Sequence, residues 1–319
     1  MKFRSDPRQI RGSLAPVVTP FTDDGAVDLE GLRRLVRWQI DAGSHGISLG
    51  GSTGEPGAQS VAERIAAMAA ASEVIADRVP FLPGTGSAKL AETMELTAAA
   101  RELGADAALV ITPYYARPTQ EALYRWYAAV AQEFPDLPLV VYNVPSRTAV
   151  DIEPATVARL FRDFDNIVGI KETTKDFEHF SRTFHACGPD LLMWSGIELL
   201  CLPLLSLGGA GFVSALANIA PTAVARMYTL WEEGDHAAAR DLHYRLHPLV
   251  DLLFVETNPA PAKWVLKDAG LLASGHVRAP LIEPTESGLS AIRALRAAGE
   301  DLLDFSAADI AVAGAEVGS

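Results

Sequence analysis

The chain has 319 residues, of which 49% are hydrophobic and 21% charged, and a formal net charge of −13. That length and apolar content suffice for one large domain with a sizeable core, and α/β barrels commonly reach this size. The acidic balance argues against binding to a nucleic-acid backbone, which usually relies on clustered Lys and Arg. It leaves an anionic small substrate open, because a few local donors decide binding in a concave site.

Neither a secretory nor a membrane segment is expected, since residues 1–10 are mostly polar and no run approaches about 18 uninterrupted apolar residues. The two cysteines, Cys187 and Cys201, predict neither a disulfide framework nor a paired metal motif. Both features are those of a cytoplasmic protein.

Along the chain, short apolar runs rich in β-branched residues alternate with longer helical patterns, as in repeated βα units around a parallel sheet. Eight such runs fall at 14–19, 46–50, 81–84, 107–112, 139–144, 167–171, 191–195 and 211–215, which predicts a closed (β/α)8 TIM barrel. Helix starts are marked as well. Val27 and Leu32 bracket an Asp28 cap, and Ser60 with Glu63 reads as a capping box. After Ser60, the residues Val61, Ile65, Met68 and Ile75 share one helical face, which should pack against the outside of the barrel. Beyond residue 217 the strands stop and helical patterns follow, for example over 235–256 and 261–269. The barrel strands and most barrel helices are therefore expected within 1–217. The last barrel helix and a C-terminal helical extension of the same domain are expected within 218–305, and a mobile Ala- and Gly-rich tail over 306–319. An open, doubly wound sheet competes with the barrel, but the G-x-G-x-x-G turn that would mark it after the first strand is missing.

Lys171 ends an otherwise apolar strand, Ile167-Val168-Gly169-Ile170, where a solvated lysine has little reason to be. At the C-terminal end of a barrel strand, a desolvated amine can lose its proton and attack a carbonyl. The competing reading is a strand-end lysine that snorkels to solvent or pairs with Glu172. Tyr142 stands at the same end of the preceding strand and should neighbour Lys171 laterally. There a phenol can move protons, or else serve as a core aromatic whose hydroxyl finds a backbone partner.

Gly50-Gly51-Ser52-Thr53-Gly54-Glu55 closes the second strand, and its N–H groups and two hydroxyls suit a carboxylate, with a plain tight turn as the alternative. The Lys that would complete a P-loop is missing. The similar turn at 84–87 is read as structural only. Arg147, in the loop after the fifth strand, can grip a carboxylate at two points or be an ordinary solvated arginine. Tyr114 and Tyr115 follow the fourth strand as adjacent aromatics of the kind that mark interfaces. His243 and His247 stand four apart on a predicted helix without a further ligand at useful spacing, so a solvated pair is expected. No metal and no cofactor is expected.

Four separated motifs, Gly-Ser-Thr-Gly-Glu at 51–55, Thr-Pro-Tyr-Tyr at 112–115, Tyr-Asn-Val-Pro-Ser-Arg-Thr at 142–148 and Gly-Ile-Lys-Glu-Thr at 169–173, occur in this order. Together with Gly-Phe-Val-Ser-Ala-Leu-Ala-Asn at 211–218 and Glu-Thr-Asn-Pro-Ala-Pro-Ala-Lys-Trp at 256–264, they resemble the dihydrodipicolinate synthase and N-acetylneuraminate lyase superfamily over nearly the whole chain. The resemblance implies a class I lyase in which Lys171 forms a Schiff base with pyruvate, and Tyr142, Thr53 and Tyr115 relay protons to solvent. It also implies that Tyr115 crosses from a neighbouring subunit of a homotetramer built as a dimer of dimers. By the same resemblance Ser52 and Thr53 hold the pyruvate carboxylate, the Gly196 and Val213 backbones border the pocket, and Arg147 binds the second substrate's carboxylate. Arg147 and the segment 257–264 resemble the synthase branch, which condenses pyruvate with aspartate 4-semialdehyde to 4-hydroxy-tetrahydrodipicolinate in lysine biosynthesis. Ser52 is instead the residue of the neuraminate lyases. A catabolic 2-keto-3-deoxy acid aldolase or dehydratase using the same lysine therefore stays open, as does a non-catalytic small-molecule-binding barrel. Synthases inhibited by lysine resemble one another in a polar pocket whose matching positions here are Pro56, Gly57, Val61, Arg64 and Ala88, with only Glu92 and Tyr114 fitting. Insensitivity to lysine is expected.

Overall fold

The computed structural model describes residues 3–305, and the tail expected from residue 306 lies outside them. Eight parallel strands, β1 (Gly12–Val17), β2 (Gly46–Leu49), β3 (Phe81–Pro83), β4 (Ala108–Ile111), β5 (Leu139–Asn143), β6 (Ile167–Glu172), β7 (Leu192–Ser195) and β8 (Gly211–Phe212), stand in the order 3-2-1-8-7-6-5-4. Since β1 pairs with both β2 and β8, the sheet curls back on itself. The seam between β3 and β4 closes through a parallel bridge from Gly84 to Leu109 and an N–H bond from Thr85 to the Leu109 carbonyl at 2.9 Å. The turn at 84–87 thus belongs to the closure of the barrel. A side chain has no room there, because a Cβ on Gly84 would stand 2.5 Å from the Gly50 carbonyl oxygen.

Side chains alternate along the strands with the period of two that the pleat imposes. Leu109, Val140, Tyr142, Leu192 and Trp194 join one buried cluster inside the barrel. Their neighbours Ala108, Val110, Leu139, Val141 and Met193 pack with the surrounding helices. The interior is filled, with Trp194 wholly buried across it, so a substrate can enter only at an end. Opposite β5, β6 skips one residue: Leu139 partners Ile167, but Val140 partners Gly169. The shift sets Lys171 beside Tyr142.

Nine helices form the outer layer within the described residues: α1 (Leu29–Asp41), α2 (Val61–Ile75), α3 (Leu90–Glu102), α4 (Gln120–Glu133), the short α5 (Pro145–Thr148), α6 (Pro154–Asp163), α7 (Phe177–Cys187), the short α8 (Cys201–Leu205) and α9 (Pro221–Glu232). Asp28 caps α1 by accepting the Gly31 N–H, and Ser60 and Glu63 form a reciprocal capping box on α2. Four more helices follow: α10 (His236–Arg245), α11 (His247–Leu253), α12 (Ala260–Asp268) and α13 (Glu286–Ala298). The helix expected over 235–256 is therefore two. Pro248 has no N–H, and its ring would meet the carbonyl four residues back, so the chain breaks after Arg245 and restarts with Pro248 in the first turn of α11.

That break also corrects the expectation of a solvated histidine pair. His243 and His247 lie on different helices, half-buried, with ring centroids 5.2 Å apart, edge to face. Burial, and secondarily His247, lowers the pKa of His243. Among the described residues no group of three or more His, Cys, Asp or Glu is placed to hold a metal ion, and no helix is long and apolar enough to cross a membrane. Both cysteines are free thiols.

The β1–β8 contact is the tightest test of closure. Gly211 has a φ of +145°, and a Cβ there would stand 2.1 Å from the Gly12 carbonyl oxygen. Gly211→Ala is expected to destabilise the fold by about 3 kcal/mol, the upper end of ordinary overpacking, measured as a lower midpoint of urea unfolding. A loss below about 0.5 kcal/mol, the scatter of surface substitutions, would mean that the β1–β8 contact is looser than described.

Candidate active site

A cleft of about 590 Å³ opens at the C-terminal ends of the strands. Ser52, Thr53, Tyr142, Arg147, Lys171, Gly196 and Val213 all line it. They arrive from five separate strand ends and the turns after them, which is why only closure of the sheet brings them together.

Lys171 is 5% exposed, and its Nζ lies 4.2 Å from the centroid of the Tyr142 ring. The register explains this, because the two Cα atoms are direct partners across β5 and β6. Glu172, the obvious ionic partner, is turned to the other side of the sheet. Its carboxylate accepts from Asn143 Nδ2 at 3.0 and 3.1 Å and from the N–H groups of Thr173 and Thr174, each at 2.8 Å. It also stands 3.3 Å from His179 Nε2 on α7. Burial works against charge on His179, but Glu172, joined by Asp151 and Asp176, outweighs it and the pKa is raised. With Glu172 committed to these four partners, Lys171 is left facing the cleft. Gly196 gives the lysine stem its space: a Cβ there would stand 2.7 Å from Lys171 Cε and 2.2 Å from Thr173 Cγ2.

The Tyr142 hydroxyl is hydrogen-bonded to Ser52 Oγ at 3.1 Å. Ser52 and Thr53 belong to a 3₁₀ turn, Ser52–Gly54, that ends in Glu55, a non-glycine residue held in the left-handed region at φ 54°. Thr53 Oγ1 accepts a hydrogen bond from Asn258 Nδ2 at 3.0 Å, and the Asn258 carbonyl accepts one from Arg147 Nη2 at 3.3 Å. Asn258, from the loop before α12, thus ties the turn after β2 to the arginine after β5. Sequence reasoning assigned it no role, although an Asn-Pro step opening a helix was a visible mark of a specialised turn.

Glu198 is a second such residue. Buried at the cleft wall, it accepts from the Ala215 N–H at 2.9 Å and from the Ser214 hydroxyl at 3.5 Å, linking the loops after β7 and β8. Burial raises its pKa, while Lys171 acts as a weaker opposing cation. At the rim, the exposed Arg147 and Lys175 add positive charge. Asp251 and Glu256 share that lining, so the cleft carries both signs of charge, with Lys171, Arg147 and Lys175 as its local donors to an anionic ligand.

Tyr115 lies outside the cleft. It is 95% exposed with φ +73°, and Arg117 in the same loop has φ +50°. Such backbone is costly for side chains of this size and persists where surroundings over-determine it. Behind the Ser52 turn lies a smaller cavity of about 40 Å³, lined in part by Arg64, Tyr114 and Tyr142. Arg64 spans it with Nη2 donating to the carbonyls of Gly84 and Gly86 at 3.0 and 3.2 Å, and burial lowers its pKa to about 10.

A buried amine, a phenol against it, a hydroxyl-bearing turn and a rim guanidinium form a set suited to holding a keto acid while a carbon–nitrogen double bond is made and protons are moved. The sequence profile of the dihydrodipicolinate synthetase family matches residues 9–298. A 4-hydroxy-tetrahydrodipicolinate synthase of Thermus thermophilus is 49% identical over 262 residues, covering 82% of this chain and 87% of that protein. Another, of Thermodesulfovibrio yellowstonii, is 42% identical over 290 residues, covering 91% and 98%. The crystal structure of the chloride-inhibited dihydrodipicolinate synthase of Acinetobacter baumannii complexed with pyruvate superposes with a TM-score of 0.87 at 38% identity, covering 91% of this chain and 99% of that one. The chain belongs to the dihydrodipicolinate synthetase family.

Proposed function

We propose that this protein is a class I lyase that condenses pyruvate with aspartate 4-semialdehyde to give 4-hydroxy-tetrahydrodipicolinate. The observation that carries the reading is the buried Lys171 amine facing the cleft 4.2 Å from the Tyr142 ring. Lys171 Nζ adds to C2 of pyruvate, the carbinolamine loses water, and the resulting imine draws electrons from C3, so that loss of a C3 proton leaves an enamine. The enamine carbon then attacks the aldehyde of the second substrate, whose amino group adds to C2 of the regenerated imine and expels Lys171 Nζ, closing the ring and freeing the enzyme. Tyr142 moves the protons at each stage, through the hydroxyls of the 52–53 turn and on to Tyr115 of a neighbouring subunit. In the chain by itself Tyr142 is bonded to Ser52, so Ser52 as well as Thr53 stands in this path.

The pyruvate carboxylate sits on Ser52 and Thr53, with the Gly196 and Val213 backbones bordering the pocket. Arg147 takes the carboxylate of the second substrate, for which its planar fork is suited. The exposed Tyr115 supports an assembly in which that ring is covered by another copy, at least a dimer and in our reading a homotetramer. A cytoplasmic location is part of the same reading.

Borohydride reduction in the presence of pyruvate should leave one reduced adduct per chain, on Lys171. Lys171→Arg should abolish both the adduct and turnover. An adduct on another lysine, or none, would remove the mechanism. Much faster release of pyruvate from 2-keto-3-deoxy acids than condensation with aspartate 4-semialdehyde would instead remove only the choice of second substrate. Gly196→Ala, which crowds Lys171 Cε, should lower kcat/KM by about 10²-fold, the usual cost of a misplacement near 1 Å.

Lysine at low millimolar concentration is expected to leave the steady-state rate unchanged. Arg64 lines the small cavity behind the Ser52 turn, and Glu92 is already engaged by Lys89 Nζ at 2.7 Å and Ser87 Oγ at 2.6 Å. Strong inhibition in that range would contradict this.

A further inference from the structure

Lys263 lies on α12 outside the cleft, and its side chain is 0% exposed. A wholly buried ammonium needs a specific partner. Its Nζ stands 2.5 Å from Glu55 Oε1, donates to the His276 carbonyl at 2.9 Å, and lies 4.0 Å from the centroid of the Phe21 ring. Glu55 is as enclosed as its partner. Its Oε2 accepts the Arg278 N–H at 2.9 Å, whereas Oε1 has no aligned hydrogen bond and is matched by the Lys263 charge.

Glu55 is the residue that ends the Ser52–Gly54 turn in left-handed backbone. A conformation that side chains rarely adopt is held here by Thr19 Oγ1 and Gln59 Nε2, which donate to the Gly54 carbonyl at 2.8 and 2.6 Å, and by what the Glu55 side chain reaches. The same two segments meet a second time in the Asn258-to-Thr53 hydrogen bond at 3.0 Å. The start of α12 therefore grips the turn on both sides of Gly54, and neither grip is made by a group of the barrel itself.

We propose that Lys263 is a positioning residue for the pyruvate half of the reaction: by pairing with Glu55 it fixes the 52–55 turn, and with it the Ser52 and Thr53 hydroxyls, against the C-terminal extension. The inference rests on the reading that these hydroxyls serve pyruvate. Burial lowers the Lys263 pKa to about 8, with Glu55 opposing the shift and Arg278 adding to it. With Nζ 2.5 Å from Glu55 Oε1, the contact is an ion pair. A buried ion pair stabilises a fold little more than apolar groups of the same volume, yet removal of one partner is costly, so what the pair supplies is the placement of its two segments.

Two variants separate placement from stability. Lys263→Met leaves Glu55 buried and unmatched, and should melt well below the native protein. Glu55→Gln combined with Lys263→Met removes both charges, keeps an acceptor for the Arg278 N–H, and should melt within about 3 °C of native. In that double variant kcat should still fall by about 10–100-fold and the KM for pyruvate should rise, while the KM for the second substrate stays near native. Native kcat and pyruvate KM in the double variant would overturn the proposal, as would an equal rise in both KM values or a failure to regain native melting. Borohydride trapping keeps the two levels apart. If the native protein gives no pyruvate adduct, the functional reading fails; if it does and the double variant has native kinetics, only the positioning role of Lys263 fails.

Discussion

Pairing of Tyr142 with Lys171 across β5 and β6 is the constraint on which the site depends. Neither residue is unusual alone, but neighbouring parallel strands in a filled barrel leave their last inward side chains one place to go. The one-residue skip opposite Leu139 and Val140 decides which residues those are. Without it the inward position would pass to a neighbour on β6, and the carboxylate of Glu172 would compete for the cleft.

Polar groups around the lysine are satisfied in a way that leaves it available. Glu172 is used up by donors behind the sheet, and Glu198 is held by backbone and hydroxyl donors from the loop after β8. The C-terminal extension then completes the mouth of the barrel. It supplies Asn258 to Thr53 and Arg147, and Lys263 to Glu55. The extension is therefore part of the chemistry's support as well as of the hydrophobic core, in which Leu249, Leu252 and Leu253 of α11 pack.

Much of this was legible in the residues. Eight apolar runs marked eight strands because a doubly covered parallel strand is apolar on both faces, and the cleft gathers Lys171, Tyr142, Ser52, Thr53, Arg147, Gly196 and Val213 as their positions at strand ends suggested. Long-range packing was less legible. Pro248 splits a helix that periodicity alone reads as continuous, and the half-burial of His243 depends on what α10 and α11 pack against. Asn258 and Lys263 act through partners more than 100 positions away, and Glu198 through the loop after the next strand and a burial that no local pattern reports; Lys263 and Glu55, for instance, meet only because α12 folds back over the turn after β2. Tyr115 projects from its loop and meets none of the cleft within one chain.

The central claim is that one amine at the mouth of a closed parallel barrel bonds covalently to the carbonyl carbon of pyruvate. Carbon-13 NMR of the native protein with pyruvate labelled at C2 observes that carbon directly. A resonance in the imine region that appears on mixing, and is absent with Lys171→Arg, is the result expected here. A spectrum containing only free pyruvate and its hydrate, at protein concentrations where turnover is measurable, would contradict it.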